Sequence, residues 1–412
     1  MHILFVHQNY PAQFGHIARY LVKRHGFRCS FLSNKPAGLV DGIQRYQYTP
    51  LGGASKTTHY CVRTFENAVA HAHGVHAACR QFPGLKPDLI VGHSGFGSTL
   101  FLRELFDCPI LNYFEYFYHP HDSDLDYRPE FLPREIDFLR SYCRNAMILL
   151  DLNNCARGYS PTAWQRSLFP SEYLDKIEVI FDGVDRAVWS RVENPQRVVA
   201  GETIPDGVKI VTYAARGFEA MRGFDIFMKA AKRIAERDPN VLFLVVGSDR
   251  VSYGGDLKYI QEKSFREHVL KQDNYDLSRF RFIGTVPPPE LARIFSLSDA
   301  HIYLTVPFVL SWSLFDALAC GATVIDSDPP AVLVLIEHTR PGLHARFCEA
   351  EAIAAATLGV LRDPQGHRHL SRAGMELIEE RYTLDRCLPR LLDLYQRVAR
   401  TGRAGHAESI RS

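Results

Sequence analysis

Short, continuous apolar runs recur along this 412-residue chain, and each is followed by a polar loop and a stretch with helical spacing. In the first half the runs lie at 2–6, 28–32, 88–91, 109–113, 146–150 and 177–181. A second series lies at 208–213, 241–246, 280–283, 300–304 and 322–326. Unbroken apolar strands that alternate with helices are typical of a parallel sheet covered by helices on both faces. The sequence therefore predicts an α/β protein with two tandem doubly wound Rossmann-like domains.

A polar stretch separates the two series. Residues 182–207 carry two prolines and lack sustained periodicity, so we expect them to connect the domains. This places an N-terminal domain at 1–181 and a C-terminal domain at 208–387. A helix at 388–400 is expected to pack back on the N-terminal domain, and residues 401–412 to form a flexible tail. Because ligands of such sheets lie beyond the carboxyl ends of the strands, the cleft between the domains is the expected active site.

The composition excludes several classes of protein. The net charge of +2 gives no indication of a nucleic-acid partner. The nine cysteines are scattered, without a CxxC pair or a Cys/His cluster, so we expect thiols in a reducing cytosol and no zinc site. The sequence contains no run of about 18 apolar residues, so we expect no membrane span. The N-terminal MHILFV leads directly into a polar loop without a signal-peptide pattern. A cytoplasmic protein is expected.

A single acid, Asp316, lies in the apolar stretch 307–324, PFVLSWSLFDALACGATV. Ser313 and Asp316 have the spacing of a short capping box, and Gly321 is placed as a helix-terminating glycine, which predicts a helix over 314–320. In one interpretation Asp316 caps the backbone amides of this helix. In the other, the helix N-terminus holds an anion and Asp316 accepts hydrogen bonds from ligand hydroxyls. Local chemistry leaves both open.

Two arginines follow the predicted strand 208–213, in the stretch YAARGFEAMRGFD. Arg216 and Arg222 lie around a glycine-containing turn at the start of the next helix. Guanidinium groups beside a helix N-terminus are well suited to bind a diphosphate, because each offers a bidentate fork and stays charged. The alternative is that both are surface residues paired with Glu219 or Asp225.

These two stretches together resemble the C-terminal domain of the family 4 retaining glycosyltransferases, which have the GT-B fold. DGVD (182–185) resembles the turn at the domain junction of that family, and FGH (14–16) its glycine-containing loop after the first strand. The resemblance implies a retaining, metal-independent enzyme that transfers a hexosyl or deoxyhexosyl group. The donor would be a nucleotide-diphosphate sugar, most simply a UDP- or GDP-sugar, and the acceptor a glycan, a lipid-linked glycan or a protein. No cofactor is implied beyond this co-substrate.

The resemblance also assigns roles in the donor site. Arg216 and Arg222 would bind the diphosphate, and Asp316, which stands at the second glutamate of an E-x7-E element, the ribose hydroxyls. Phe308 stands at the first glutamate, so a carboxylate contact to the donor sugar is not expected. The other candidate donor-binding residues are Gly15, Gly217, Phe282, Val286, Leu310, Ser311, Trp312 and Ser313. Of these, Phe282 and Val286 are expected near the base.

On the acceptor side, VGHSGFGS (91–98) resembles the strand-end histidine segment of the family, so His93 is a candidate catalytic residue. A loop histidine with a structural hydrogen bond is the alternative. Glu115 stands where the family has a second histidine, and it would bind an acceptor hydroxyl or stabilise positive charge on the sugar. The glycines of 95–97 do not form a dinucleotide-binding fingerprint, because the third glycine is missing.

The acidic and histidine-rich stretch 119–131 has no metal-ligand spacing, so we expect a loop near the cleft and no metal. The basic segment 21–28 indicates either a solvated helix end or weak peripheral contact with the inner face of a membrane. Phe308 and Glu115 leave a second function open, a catalytically weak sugar-nucleotide-binding scaffold or regulator of a glycan pathway.

Overall fold

The computed structural model describes the backbone of residues 1–327 and 342–409, with side chains up to residue 401. The chain divides into two units. The N-terminal unit comprises Met1–Asp126, Leu132–Gly183 and the segment that begins at Leu384. The C-terminal unit comprises Tyr127–Phe131 and Val184–Thr383.

The N-terminal unit is built on an eight-stranded sheet. Its strands are β1 (His2–Val6), β2 (Arg28–Ser33), β3 (Gly38–Val40), β4 (Ile43–Gln47), β5 (Leu89–His93), β6 (Ile110–Tyr113), β7 (Arg157–Ser160) and β8 (Ile177–Val179). The order is β3-β4-β2-β1-β5-β6-β7-β8, and every pair is parallel except β3 with β4. The helices are α1 (Gly15–His25), α2 (Arg63–Arg80), α3 (Glu135–Arg144), α4 (Ala146–Asn154) and α5 (Ala163–Ser167).

The central strand of this sheet is buried on both faces, which is why its sequence is continuously apolar. Ile3 and Phe5 belong to one apolar cluster, whereas Leu4 and Val6 belong to another. Successive side chains of a strand point to opposite faces, so each face contributes to its own cluster. This arrangement gives the doubly wound architecture that the apolar runs predicted.

The C-terminal unit contains a six-stranded parallel sheet and a short hairpin. The hairpin is formed by β9 (Val198–Val199) and β10 (Glu202–Thr203), and the sheet by β11 (Lys209–Gly217), β12 (Val241–Ser248), β13 (Phe280–Gly284), β14 (Ala300–Tyr303), β15 (Val324–Ser327) and β16 (Gly342–Ala345). The order is β13-β12-β11-β14-β15-β16. The helices among its described residues are α6 (Phe224–Arg237), α7 (Phe265–Gln272), α8 (Pro288–Leu297), α9 (Trp312–Ala319), α10 (Ala350–Arg362) and α11 (Pro364–Leu377), which continues into a π-helical turn (Ile378–Tyr382).

Both sheets reverse their order at one point. In the N-terminal unit β1 lies between β2 and β5, and in the C-terminal unit β11 lies between β12 and β14. The loops after β1 and β5, and after β11 and β14, diverge at these points and leave a crevice at the carboxyl edge. These are the loops that carry most of the residues predicted from the sequence.

The division of the chain differs from the predicted one in three places. The connection at 182–207 does not stand apart, because residues from Val184 belong to the C-terminal unit and include β9 and β10. The last helix, α12 (Leu384–Ser409), is longer than the expected 388–400, and its Leu391, Leu394 and Tyr395 pack in the core of the N-terminal unit. The third difference is that Tyr127–Phe131 joins the C-terminal unit.

Residues 146–150, predicted as a strand, instead begin α4. Their run is continuously apolar, so period alone could not distinguish a strand from a buried helix. Met147, Ile148, Asp151 and Leu152 form the buried face at helical spacing, and Leu149 and Leu150 remain partly exposed. The strand that pairs with β6 is the more polar β7, which the apolar pattern missed.

Candidate active site

In the C-terminal unit, the two candidate arginines lie at the carboxyl end of β11, Arg216 within the strand and Arg222 in the loop that follows it. Arg216 is exposed, and its Nη1 lies 3.3 Å from the hydroxyl of Tyr253. Arg222 is buried, with 6% of its surface exposed, and its Nη1 donates to Thr305 Oγ1 at 2.7 Å. Nη1 and Nη2 of Arg222 both donate to the carbonyl of Val309 at 3.3 Å. Arg222 thereby joins this loop to the loop that follows β14.

Neither arginine is paired with Glu219 or Asp225, the partners that the alternative interpretation proposed. Glu219 is fully buried, and its Oε2 accepts hydrogen bonds from the amides of residues 252–254 at 2.8–3.0 Å. Asp225 forms a bidentate pair with Arg128, at 2.7 and 3.2 Å. Within residues 1–327 and 342–401, no carboxylate lies within ion-pair distance of Arg216 or Arg222. The two positive charges are therefore available to an anion.

Arg128 is a residue of this region that the sequence analysis missed. It is buried, donates to the Ala220 carbonyl at 2.9 Å as well as to Asp225, and has the rings of Phe131 and Phe347 at 5.3 and 5.2 Å. It holds the loop 218–223 at one end, where Ala220 N also donates to Asp256 at 2.8 Å. Since Arg128 and Asp225 are 97 positions apart, no local pattern could have indicated the pair.

The second element of the site is the N-terminus of α9. The helix begins at Trp312, not at 314, and Ser311 rather than Ser313 is its N-cap, with Oγ accepting from Ser313 N at 3.3 Å. Ser311 N donates to the hydroxyl of Tyr303 at 2.9 Å. Leu310 is buried, whereas Trp312 is 49% exposed. The predicted helix start was wrong because two serines offer a cap within three residues, and the first is used.

This shift decides the local role of Asp316. It is the fifth residue of α9, one turn past the capping positions, so the capping interpretation is wrong. The side chain is partly exposed, and across the described part of the chain its carboxylate has no hydrogen-bond partner. Crowding by protein atoms raises the pKa of Asp316 well above its ordinary value, through loss of hydration. A carboxylate in this state gains from a ligand hydroxyl that donates to it.

The remaining donor-site candidates have mixed surroundings. Phe308 is partly buried, with the Tyr253 ring centred 6.0 Å away. Phe282 and Val286 are partly buried, and the guanidinium of Arg266 covers one face of the Phe282 ring at 4.0 Å. Gly217 is required by packing, because a Cβ there would lie 2.3 Å from the Arg250 carbonyl oxygen.

In the N-terminal unit, His93 and Glu115 come together at the carboxyl ends of β5 and β6. His93 Nε2 lies 3.5 Å from Glu115 Oε2, and His93 Nδ1 lies 2.9 Å from the carbonyl of Ser94. His93 is buried, whereas 41% of the Glu115 side chain is exposed. Gly15 is the first residue of α1, where a Cβ would lie 2.6 Å from Pro11 Cβ. Its lack of a side chain is needed for this loop to fold against itself.

Two further titratable groups lie close to His93, and both were missed. His7 directly follows β1, and its ring centre is 5.3 Å from that of His93. Burial, with a smaller contribution from His93, lowers the pKa of His7 to about 3, so the ring is neutral. Asp151 on α4 accepts from Ser94 Oγ at 3.0 Å and from Gly95 N at 2.8 Å, and burial raises its pKa to about 7. The position of His7 at a strand end could have indicated it, whereas Asp151 depended on the missed helix.

Two acids of the stretch 119–131 accept hydrogen bonds from neighbouring protein groups. Asp126 accepts from the amides of Asp122 and Ser123, each at 3.0 Å, and Asp124 accepts from the hydroxyl of Tyr116 at 2.9 Å. Among the described residues, no group of three or more His, Cys, Asp or Glu side chains could hold a metal ion. Over the same residues, no helix has the length and apolar character needed to cross a bilayer.

Comparison with known families places this architecture in a class. A model described as "Glycosyl transferase family 4 group" matches residues 25–188, and one described as "Glycosyl transferases group 1" matches residues 196–376. The two matches cover most of both units. The chain belongs to the family 4-type glycosyltransferases, and its two Rossmann-like halves form the GT-B fold.

Individual relatives are distant. The N-acetyl-alpha-D-glucosaminyl L-malate synthase of Bacillus anthracis is 20% identical over 232 residues, and the match spans 56% of this chain and 56% of that relative. Among solved structures, the sucrose-phosphate synthase of Thermosynechococcus elongatus has a TM-score of 0.73 at 18% identity, covering 96% of this chain and 98% of that one. HepE of Anabaena, solved in complex with UDP and glucose, has a TM-score of 0.65 at 16% identity, covering 95% and 98%. At these identities the structural likeness concerns the fold.

Proposed function

We propose that this protein is a retaining, metal-independent glycosyltransferase that transfers a hexosyl or deoxyhexosyl group from a nucleotide-diphosphate sugar to an acceptor hydroxyl. The C-terminal unit binds the donor, and the N-terminal unit binds the acceptor. A UDP-sugar is the favoured donor, because HepE, a neighbour in fold, was solved with UDP and with UDP-glucose. No cofactor is required beyond the sugar nucleotide.

The observation that carries this proposal is the buried Arg222, which lacks a carboxylate partner among the described residues. A guanidinium cannot lose its charge, so a buried one is expected to have an anion as partner when the protein acts. A diphosphate supplies that anion at the carboxyl edge of β11, where the exposed Arg216 adds a second positive charge. Asp316 would accept hydrogen bonds from the ribose of the same nucleotide.

The chemistry of transfer follows from this arrangement. The bond between the sugar anomeric carbon and the diphosphate oxygen breaks, and its electron pair stays on the diphosphate. Arg216, Arg222 and the backbone amides at the start of α9 stabilise this growing negative charge, which is the largest contribution a transferase of this type can make. The acceptor oxygen bonds to the same face of the anomeric carbon, and its proton passes to a diphosphate oxygen. No carboxylate pair for a metal is needed in this scheme.

The experiment is a turnover assay with UDP- and GDP-sugars and a mixture of glycan, lipid-linked and protein acceptors, following nucleotide release and the anomeric configuration of the product by NMR. We expect nucleotide release that persists in excess EDTA, and a product with the anomeric configuration of the donor. An inverted product would overturn the retaining assignment, and abolition by EDTA would overturn metal independence.

A second candidate function is supported by Phe308, an apolar residue at a position where a carboxylate would contact the donor sugar. A protein with this change could bind the nucleotide without orienting the sugar, and so act as a sugar-nucleotide-binding scaffold or regulator. The same assay separates the two candidates. A scaffold would be stabilised by the nucleotide and would release none from any donor.

A further inference from the structure

The N-terminal unit contains a cavity of about 550 Å³, a size that suits a small organic molecule. Its wall is formed by the ends of β5 and β6, by α2 and by the junction of α3 with α4. Apolar and aromatic side chains line much of it, among them Phe96, Tyr116, Tyr118 and Ile148. All of the lining residues belong to this one unit.

The wall of the cavity includes a positively charged side chain that has no ion-pair partner among the described residues. Arg144 is the lining residue with a permanent positive charge, and its guanidinium lies 3.5 Å from the ring centre of Tyr118. Its Nε is buried without a hydrogen-bond partner. In the described part of the chain no carboxylate is within ion-pair distance of it, and the nearby Asp124 accepts from Tyr116 instead. An anionic group in the cavity would supply the missing partner, and the planar fork of arginine fits a carboxylate or a phosphate.

The other polar feature of the cavity is the pair of His93 and Glu115. A backbone carbonyl can only accept, so the contact between His93 Nδ1 and the carbonyl of Ser94 places a proton on Nδ1. His93 Nε2 then faces Glu115 Oε2, at 3.5 Å. With the proton on Nδ1, His93 Nε2 is an acceptor, and so is the carboxylate of Glu115. A ligand hydroxyl close to both can therefore donate a hydrogen bond to one of them. The carboxylate of Glu115 is accessible from the cavity.

We propose that this cavity binds a small acceptor with two functional ends, a carboxylate or phosphate held by Arg144 and a nucleophilic hydroxyl held by Glu115 and His93. The aromatic side chains of the cavity wall contact the carbon skeleton of the acceptor. The inference rests on the proposed function and narrows its acceptor to small anionic molecules. In the reaction the hydroxyl oxygen bonds to the sugar anomeric carbon, the bond from that carbon to the diphosphate breaks with its electron pair, and the hydroxyl proton leaves on the diphosphate.

The test compares anionic acceptors with neutral counterparts of the same skeleton. Glycerate is paired with glycerol, and glucose 6-phosphate with glucose, and acceptor-dependent nucleotide release is measured for each. The first pair tests a carboxylate and the second a phosphate. We expect release with at least one anionic compound and a lower KM for it than for its neutral counterpart. In Arg144→Gln its acceptor KM should rise by about 10- to 100-fold, as for the loss of one or two charge-assisted hydrogen bonds.

Two comparisons make the result specific. The KM for the donor should be unchanged in Arg144→Gln, and Arg80→Gln, which removes an exposed charge from α2, should leave every acceptor KM unchanged. The inference is overturned if the neutral compounds are used equally well, if none of the anionic compounds is used, or if Arg144→Gln leaves the KM of the anionic acceptor unaltered. Failure of the proposed function is recognised in experiments with the donor alone. In that case the nucleotide would not stabilise the protein against unfolding, and the background hydrolysis of the donor in the absence of acceptor would also be lost.

Discussion

The carboxyl edges of the two sheets have the same topology and opposite chemistry. In the C-terminal unit, the two acids that follow β11 are paired within the protein, since Glu219 accepts from backbone amides and Asp225 pairs with Arg128. The arginines of that edge remain available for a diphosphate. In the N-terminal unit the edge presents a neutral His7 and the pair of His93 and Glu115. The two edges therefore differ in which charged groups the protein itself pairs, and the proposed anion site and hydroxyl site rest on that difference.

The largest effect is expected on stability, at the buried ion pair of Arg128 and Asp225 near the carboxyl edge of the sheet in the C-terminal unit. Arg128→Ala leaves Asp225 buried without a partner, and breaking such a pair costs about 3–5 kcal/mol of unfolding free energy. Chemical denaturation measures it. The matched control is Arg237→Ala, which breaks a solvent-exposed pair with Glu351 and should change the unfolding free energy far less, because water screens exposed pairs. Equal costs for the two variants would show that Arg128 does not hold the loop in place.

The next effect concerns the rate. Arg216→Gln and Arg222→Gln should each slow nucleotide release by about 10²- to 10³-fold, as the loss of one group that stabilises a developing negative charge does. Arg233→Gln, on the outer part of α6, is the control and should retain the full rate. Arg216 is exposed, so its variant tests the charge without disturbing the core. Unchanged rates in both site variants would eliminate the diphosphate assignment.

A smaller effect is expected at Asp316. Asp316→Asn should weaken nucleotide binding by about 10- to 100-fold, through loss of charged hydrogen bonds to the ribose. The folded-state pKa of Asp316 is raised, so the wild type loses stability as the pH rises above about 4, and the asparagine variant avoids this loss. Titration calorimetry and denaturation at pH 7 measure the two quantities. A less stable variant with unchanged affinity would contradict the role in binding.

The smallest effect is on the pH dependence of stability, and it concerns His7 at the carboxyl edge of the sheet in the N-terminal unit. The pKa of His7 is lowered to about 3, so its neutral form contributes stability that is lost as the pH falls from about 6.5 towards 3. His7→Asn should therefore gain stability relative to the wild type on acidification, by about 1.4 kcal/mol per pH unit below pH 6.5. Denaturation of both proteins from pH 7.5 to 5 gives the difference. A constant difference over this range would show that His7 is not held neutral.

The sequence predicted the parts of the molecule that depend on local pattern. The continuously apolar strands and the positions of Arg216 and Arg222 near a strand end follow from period and order along the chain, and the family resemblance added His93 and Glu115. Other features depend on contacts between distant residues. Arg128 meets Asp225 across 97 positions, and the amides that occupy Glu219 are more than 30 positions away.

Asp316 shows where local chemistry was insufficient. Ser311 and Ser313 are equally good caps by type, and the choice between them is made by Tyr303, whose hydroxyl accepts from the amide of Ser311. That choice moves Asp316 out of the capping turn. The sequence placed the acid at the right edge of the sheet, but its lack of a protein partner could be known only from the folded chain.

The central proposal is that Arg222 and Asp316 bind a sugar nucleotide. Thermal unfolding in the presence of UDP-, GDP-, dTDP- and ADP-sugars tests this proposal most directly. A ligand at about 100 times its Kd adds roughly 2.7 kcal/mol to the folded state, which raises the Tm measurably. We predict a rise with one base, UDP-sugars first, that is lost in both Arg222→Gln and Asp316→Asn. No rise with any donor, or a rise that both variants retain in full, would contradict the account.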